Sequence, residues 1–98
     1  MLTPEGAVKV KIKRYLQELG AYFFMPVQSG FGESTLDILA CYRGRFLGIE
    51  VKRGDGVSNP PTPRQIFVME RIVAAGGCSF VARSVKDVED MLAMEGLL

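Results

Sequence analysis

The chain contains no histidine. That absence removes serine–histidine and cysteine–histidine nucleophilic catalysis, histidine general bases and histidine-ligated zinc. Any chemistry must come from carboxylates, lysine, hydroxyls or a metal held by oxygens. Cysteine is scarce as well: Cys41 and Cys78 stand alone in apolar runs without metal-ligand spacing, which predicts two buried free thiols. Apolar runs such as residues 21–27 are far shorter than the roughly 20 residues of a membrane span, and the N-terminus has no signal-peptide core. These absences lead to the expectation of a soluble, cytoplasmic protein with no membrane partner.

What is present fits one small globular domain spanning residues 1–98, with hydrophobic residues at 48% and charged residues at 23%. A formal net charge of +1 conceals a gradient along the chain. Lys9, Lys11, Lys13 and Arg14 outnumber Glu5 and Glu18 in the first segment, and Arg43, Arg45, Lys52, Arg53 and Arg64 outnumber Glu50 and Asp55 in the middle. The last residues are acidic. Basic residues grouped in the first two-thirds suit a polyanionic ligand, and ordinary solvated faces explain them equally well.

Thr3 followed by Pro4 opens a helix, Val8, Ile12, Tyr15, Leu16 and Leu19 form its apolar stripe, and Gly20 ends it. Glu5, one turn before Val8, is placed either to suit the helix dipole or to look toward a sheet. A strand is expected over residues 21–27, then a glycine-flanked loop from Gln28 to Ser34 carrying Phe31. Next come two strands joined at Arg43-Gly44. If the turn has two residues, Tyr42 faces Arg45 and Asp37 falls opposite Glu50. Side-chain alternation then puts Leu36, Ile38, Ala40, Tyr42, Leu47, Ile49 and Val51 on a core face and Asp37, Glu50 and Lys52 on the other. Two facing carboxylates, with Cβ atoms roughly 5 Å apart, repel unless something positive lies near. A hard divalent cation would relieve that repulsion.

The irregular stretch 53–62 holds Arg53-Gly-Asp55, read as turn chemistry. Thr62-Pro63-Arg64-Gln65 is a capping box, and that alone accounts for Gln65. Ile66, Met69, Ile72 and Val73 give the helix an apolar face, Gly76-Gly77 closes it, residues 78–82 form a strand parallel to that of Glu50, and Ser84 caps a last helix. The expected order is αβββαβα, an α/β fold with a small mixed sheet flanked by helices.

Asp37, then after twelve residues Glu50-Val51-Lys52, resembles the motif of the PD-(D/E)XK nuclease superfamily, with Leu36 where the motif's first proline would stand. Glu5 early in the first helix, the glycine-containing loop before Asp37, the run Gly48-Ile-Glu-Val-Lys52 and Gln65 at the next helix extend the resemblance to the VRR-Nuc group, close to Holliday junction resolvases. The resemblance implies a restriction-endonuclease-like core and a Mg²⁺- or Mn²⁺-dependent endonuclease acting on DNA, branched DNA above all. Asp37, Glu50 and the Val51 carbonyl would ligate metal, with Glu5 adding a ligand directly or through water. Lys52 would position or activate the attacking water, and Gln65 would orient it or a phosphate. Lys9, Lys13, Arg53 and Arg64 are candidates for contact with nucleic acid. A homodimer is expected from paired cuts, through Phe23, Phe24, Phe31 and Leu97-Leu98. The alternatives are a surface salt-bridge cluster at Asp37, Glu50 and Lys52, a non-catalytic nucleic-acid-binding module that keeps the fold, and a protein-interaction domain.

Overall fold

A computed structural model describes residues 2–27 and 34–98. The element order is α1 (Pro4–Leu19), β1 (Tyr22–Phe24), β2 (Ile38–Tyr42), β3 (Arg45–Val51), α2 (Pro63–Ala74), β4 (Cys78–Ala82) and α3 (Val85–Met94), the expected αβββαβα. The strands form one mixed sheet in the order β1-β2-β3-β4, antiparallel except for the β3–β4 pair. Among the described residues no helix is long and apolar enough to cross a membrane. The first strand is shorter than the seven residues expected, because Met25 and Pro26 leave the ladder; proline has no N–H to donate to it. Most of the loop containing Phe31 lies outside the described residues.

The turn between β2 and β3 has two residues, and Tyr42 pairs with Arg45. Arg43 and Gly44 both have positive φ, 51° and 77°. That backbone matches the right-handed twist of the strands, and here an arginine accepts the left-handed conformation. The register fixes everything downstream: Ile38 pairs with Ile49, so Asp37 is next in line with Glu50.

Helices α1 and α3 cover one face. Ile12 and Leu16 of α1 and Val88 and Leu92 of α3 are buried against Ile38, Ala40, Leu47, Ile49, Val51, Phe80 and Ala82. Each such aliphatic side chain removed from water is worth roughly 1.5–3 kcal/mol, so this face carries most of the stability. All three caps form as the sequence implied: Thr3 accepts from the Gly6 N–H, Thr62 from Gln65 and Ser84 from Asp87.

On the other face α2 packs over β3 and β4 through a close approach. A Cβ on Gly48 would lie 2.5 Å from Ile72 Cδ1, and one on Gly77 would lie 2.7 Å from Ile72 Cγ2. Only bare backbone lets Ile72 reach the sheet. The expected apolar face of α2 is nonetheless poorly covered. Ile66 and Val73 are exposed and no α2 residue is fully buried, because the helix sits over one half of the sheet and no described element packs on its outer flank. For the same reason Cys41 is exposed rather than buried, whereas Cys78 is buried; both are free thiols. Phe23 packs on the core and Leu97 is buried, which leaves Phe24 and Leu98 exposed from the apolar surface expected at a dimer contact.

Candidate functional site

At the open end of the hairpin the chain bends at Asp37, one residue before β2 begins. The bend breaks the alternation. Leu36 is fully buried but lies on the α2 side, with its Cδ1 3.1 Å from where a Gly48 Cβ would stand, rather than beside Ile38 as alternation predicted. The same bend lets the Asp37 carboxylate reach across the end of the ladder. Its Oδ2 accepts the Val51 N–H at 2.9 Å, and its Oδ1 lies 3.2 Å from Lys9 Nζ on α1.

Glu50 is 4% exposed, the one buried charged residue among those described. Its Oε2 accepts from Gln65 Nε2 at 2.9 Å and lies 3.8 Å from Lys52 Nζ. Burial raises its pKa, the charge and hydrogen bonding of the neighbouring Asp37 raise it further, and Lys52 only partly opposes them; the result is about 8 against an ordinary 4.5. A second acid and a low-polarity setting therefore hold a proton on this pair at neutral pH.

Gln65 does two jobs with one amide. Its Oε1 accepts the Thr62 N–H at 2.9 Å, completing the capping box. With the oxygen committed there, the NH₂ end points to Glu50. The capping box that seemed to explain Gln65 completely is thus also the device that aims it.

The remaining candidates divide. Glu5 is linked to Asp37 through Lys9, whose Nζ lies 3.7 Å from Glu5 Oε2 and 3.2 Å from Asp37 Oδ1. Val51 reaches the site through its N–H, on Asp37. Lys9, expected as a nucleic-acid contact, is the counter-charge of Asp37, whereas Lys13, Arg53 and Arg64 are exposed. Sequence reasoning passed over Arg83. Its guanidinium donates to the Arg53 and Asn59 carbonyls, bracing the irregular segment after Lys52, which Asp55 also ties by accepting from Val57 and Ser58. Nothing in the spacing of Arg83 signals this, since its partners are main-chain atoms of a loop.

Two carboxylates, a lysine and a neutral amide can together hold a hard cation, a water and a phosphate. Among the described residues no three acidic or cysteine side chains form a cage. Magnesium does not need one, because it takes one or two carboxylates and fills its shell with water and substrate oxygens. The oxygen-only pair, with one acid pushed toward its neutral form by burial and by its neighbouring acid, fits such an ion.

The comparisons with known proteins bear on the fold. No family profile and no curated protein matches the sequence. A solved structure described as a VRR_NUC domain is similar in fold, with a TM-score of 0.73 and 27% identity over 93% of this chain and 96% of that one. The fold is that of a nuclease-type domain. That likeness supports membership of the VRR-Nuc family.

Proposed function

We propose that residues 1–98 form a single VRR-Nuc-like nuclease domain, a Mg²⁺- or Mn²⁺-dependent DNA endonuclease that acts as a homodimer on branched DNA such as Holliday junctions and works in the cytoplasm. The observation that carries this reading is Glu50, a buried acid set against Asp37, donated to by Gln65 and flanked by Lys52. A salt-bridge cluster would be exposed and would not place a second acid where it raises the pKa of the first. Asp37 and Glu50, with the Val51 carbonyl, would hold the ion. The ion, when bound, makes a water-derived nucleophile available near neutral pH and neutralises charge on the phosphate. Lys52 offsets charge in the transition state, Gln65 orients the water or a phosphate oxygen, and Lys9 fixes the Asp37 carboxylate. Lys13, Arg53 and Arg64 meet the DNA backbone. So small a domain has little surface for reading base edges, which favours structure over sequence as the selecting feature. Symmetric cuts on a junction call for a two-fold dimer.

The test is incubation with duplex, single-stranded, flap and four-way-junction DNA in Mg²⁺, Mn²⁺ or EDTA. Metal-dependent cleavage is expected, with Asp37→Asn, Glu50→Gln and Lys52→Ala each abolishing or nearly abolishing it. Full activity in those variants would refute the site. No cleavage of any substrate would leave a nucleic-acid-binding module that keeps the nuclease fold.

A further inference from the structure

The sheet is covered unequally. Helices α1 and α3 close one face, while α2 covers the other only over β3 and β4, so among the described residues no helix covers the α2 side of β1 and β2. The register puts Tyr22, Cys41 and Phe46 in one cross-strand row on this side and Phe24, Leu39 and Gly48 in the next. Tyr22 is 75% exposed, Phe24 51% and Phe46 46%. Between this face and the flank of α2 runs a groove of about 360 Å³, floored by Leu39, Phe46 and Ile72 and rimmed by Arg64 and Arg71. That volume is within the range of ligand clefts, roughly 300–1,000 Å³. Both guanidinium groups rest against exposed Phe67, at 5.5 and 5.8 Å from its ring centroid, which holds their charge in place along the rim.

We propose that this face binds unpaired nucleotides of the substrate, with bases stacked on Tyr22, Phe24 and Phe46 and phosphates on Arg64 and Arg71. The inference rests on the nuclease reading above and names the part of the substrate that the site receives. A basic rim beside a platform of aromatic rings is what single-stranded nucleic acid requires, since every base has a face to stack and every phosphate a charge to neutralise. The rim begins beside the candidate site, because Arg64 precedes Gln65, whose amide holds Glu50. Arg71 lies two turns further along α2, roughly 10 Å away. A second copy of the chain is the poorer occupant. Among the described residues no carboxylate lines the groove and neither arginine has an acidic partner, which favours a polyanion there.

The experiment is fluorescence anisotropy in EDTA with labelled oligothymidine, a blunt duplex and a duplex with a single-stranded tail, for wild type, Tyr22→Ser, Phe46→Ser and Arg71→Gln. Thermal melts confirm folding, and Tyr22→Ser, at the most exposed ring, secures the test if Phe46→Ser fails to fold. Loss of one stacking ring should weaken binding of the strand and the tailed duplex roughly 5- to 100-fold and leave the blunt duplex unchanged. Arg71→Gln should flatten the dependence of log K on log salt for the strand by about 0.7. Wild-type affinity of both aromatic variants for oligothymidine, or no preference of wild type for the tail, overturns the inference. Metal-dependent cleavage of duplex or junction, measured separately, then tells whether the nuclease reading stands without it. Variants that turn a dimer into monomers while strand binding holds would give the face to a second copy and overturn the proposal.

Discussion

Glu50 should make the metal-free protein less stable as the solution becomes more alkaline. The carboxyl titrates at about 8 in the folded protein against an ordinary 4.5. The folded state therefore holds a proton that the unfolded state has released throughout that window. Where the native state binds more protons, stability falls with pH. The contribution is complete below 4.5, declines through the window, and is gone above 8. Each pH unit costs about 1.4 kcal/mol, so the whole span is on the order of 5 kcal/mol, a large share of what a domain this size possesses. Glu50→Gln keeps the shape and removes the titration, so its profile should be flat where that of wild type slopes. Urea unfolding in EDTA between pH 5 and pH 9 measures both. A divalent cation reverses the preference by favouring the ionised acid. Stabilisation by Mn²⁺ should therefore grow with pH, and at pH 7 binding should release close to one proton, read by calorimetry in buffers of different ionisation enthalpy. Parallel stability profiles for wild type and Glu50→Gln would refute the account of Glu50. Mn²⁺ binding with no proton release would refute its role as a ligand.

Other expectations follow from single contacts. Thr62→Ala should cost about 1 kcal/mol of stability and leave cleavage intact at low temperature, whereas Gln65→Ala should lose the cap and most of the cleavage together; equal activity of the two would reduce Gln65 to a cap. Lys9→Met removes the cation 3.2 Å from Asp37 Oδ1 and should raise the pH at which the carboxylate pair loses its proton, visible as an alkaline displacement of the sloping region of the stability profile. Gly48→Ala should destabilise by about 1–3 kcal/mol and be rescued in urea melts by Ile72→Val, which deletes the methyl 2.5 Å from the new Cβ. Gly77→Ala should cost more and resist that rescue, because its neighbours are Ile72 Cγ2, which valine keeps, and the main-chain oxygens of Phe46 and Ile72.

Most of the fold was legible because its elements are locally signalled. Pro4 and Pro63 behind threonine caps, the Arg43-Gly44 turn and the periodic stripe of α1 each specify structure within a few residues, and the two-residue turn carried the register as far as Asp37. What alternation could not supply was the bend there. An isolated strand has no reason to turn Leu36 toward α2; the reason is non-local, a vacancy above Gly48 and an acceptor needed by the Val51 N–H. The exposure of Cys41, Ile66 and Val73 was hidden for a related cause, since apolar sequence shows what can be buried and only the footprint of α2 decides what is. Within the site, Asp37, Glu50 and Lys52 could be read from spacing. The engagement of Lys9 with Asp37 could not, being a contact between elements far apart in the chain.

Gln65 shows how folding and chemistry share atoms here. A helix start has main-chain N–H groups left over, and a side-chain oxygen at its third position satisfies one of them. Glutamate serves such a cap as well as glutamine, yet glutamate at this point would set a third carboxylate against Glu50, already raised to about 8 by burial and the second. The amide avoids that conflict, because one end accepts from Thr62 and the other donates to Glu50. Thus the residue that starts α2 also fixes where the helix stands relative to the buried acid. Ile72 then seats the far end of the helix against Gly48 and Gly77. With both ends pinned over β3 and β4, α2 has no means of covering β1 and β2. That α2 leaves the aromatic face uncovered is therefore a consequence of how the acid is held.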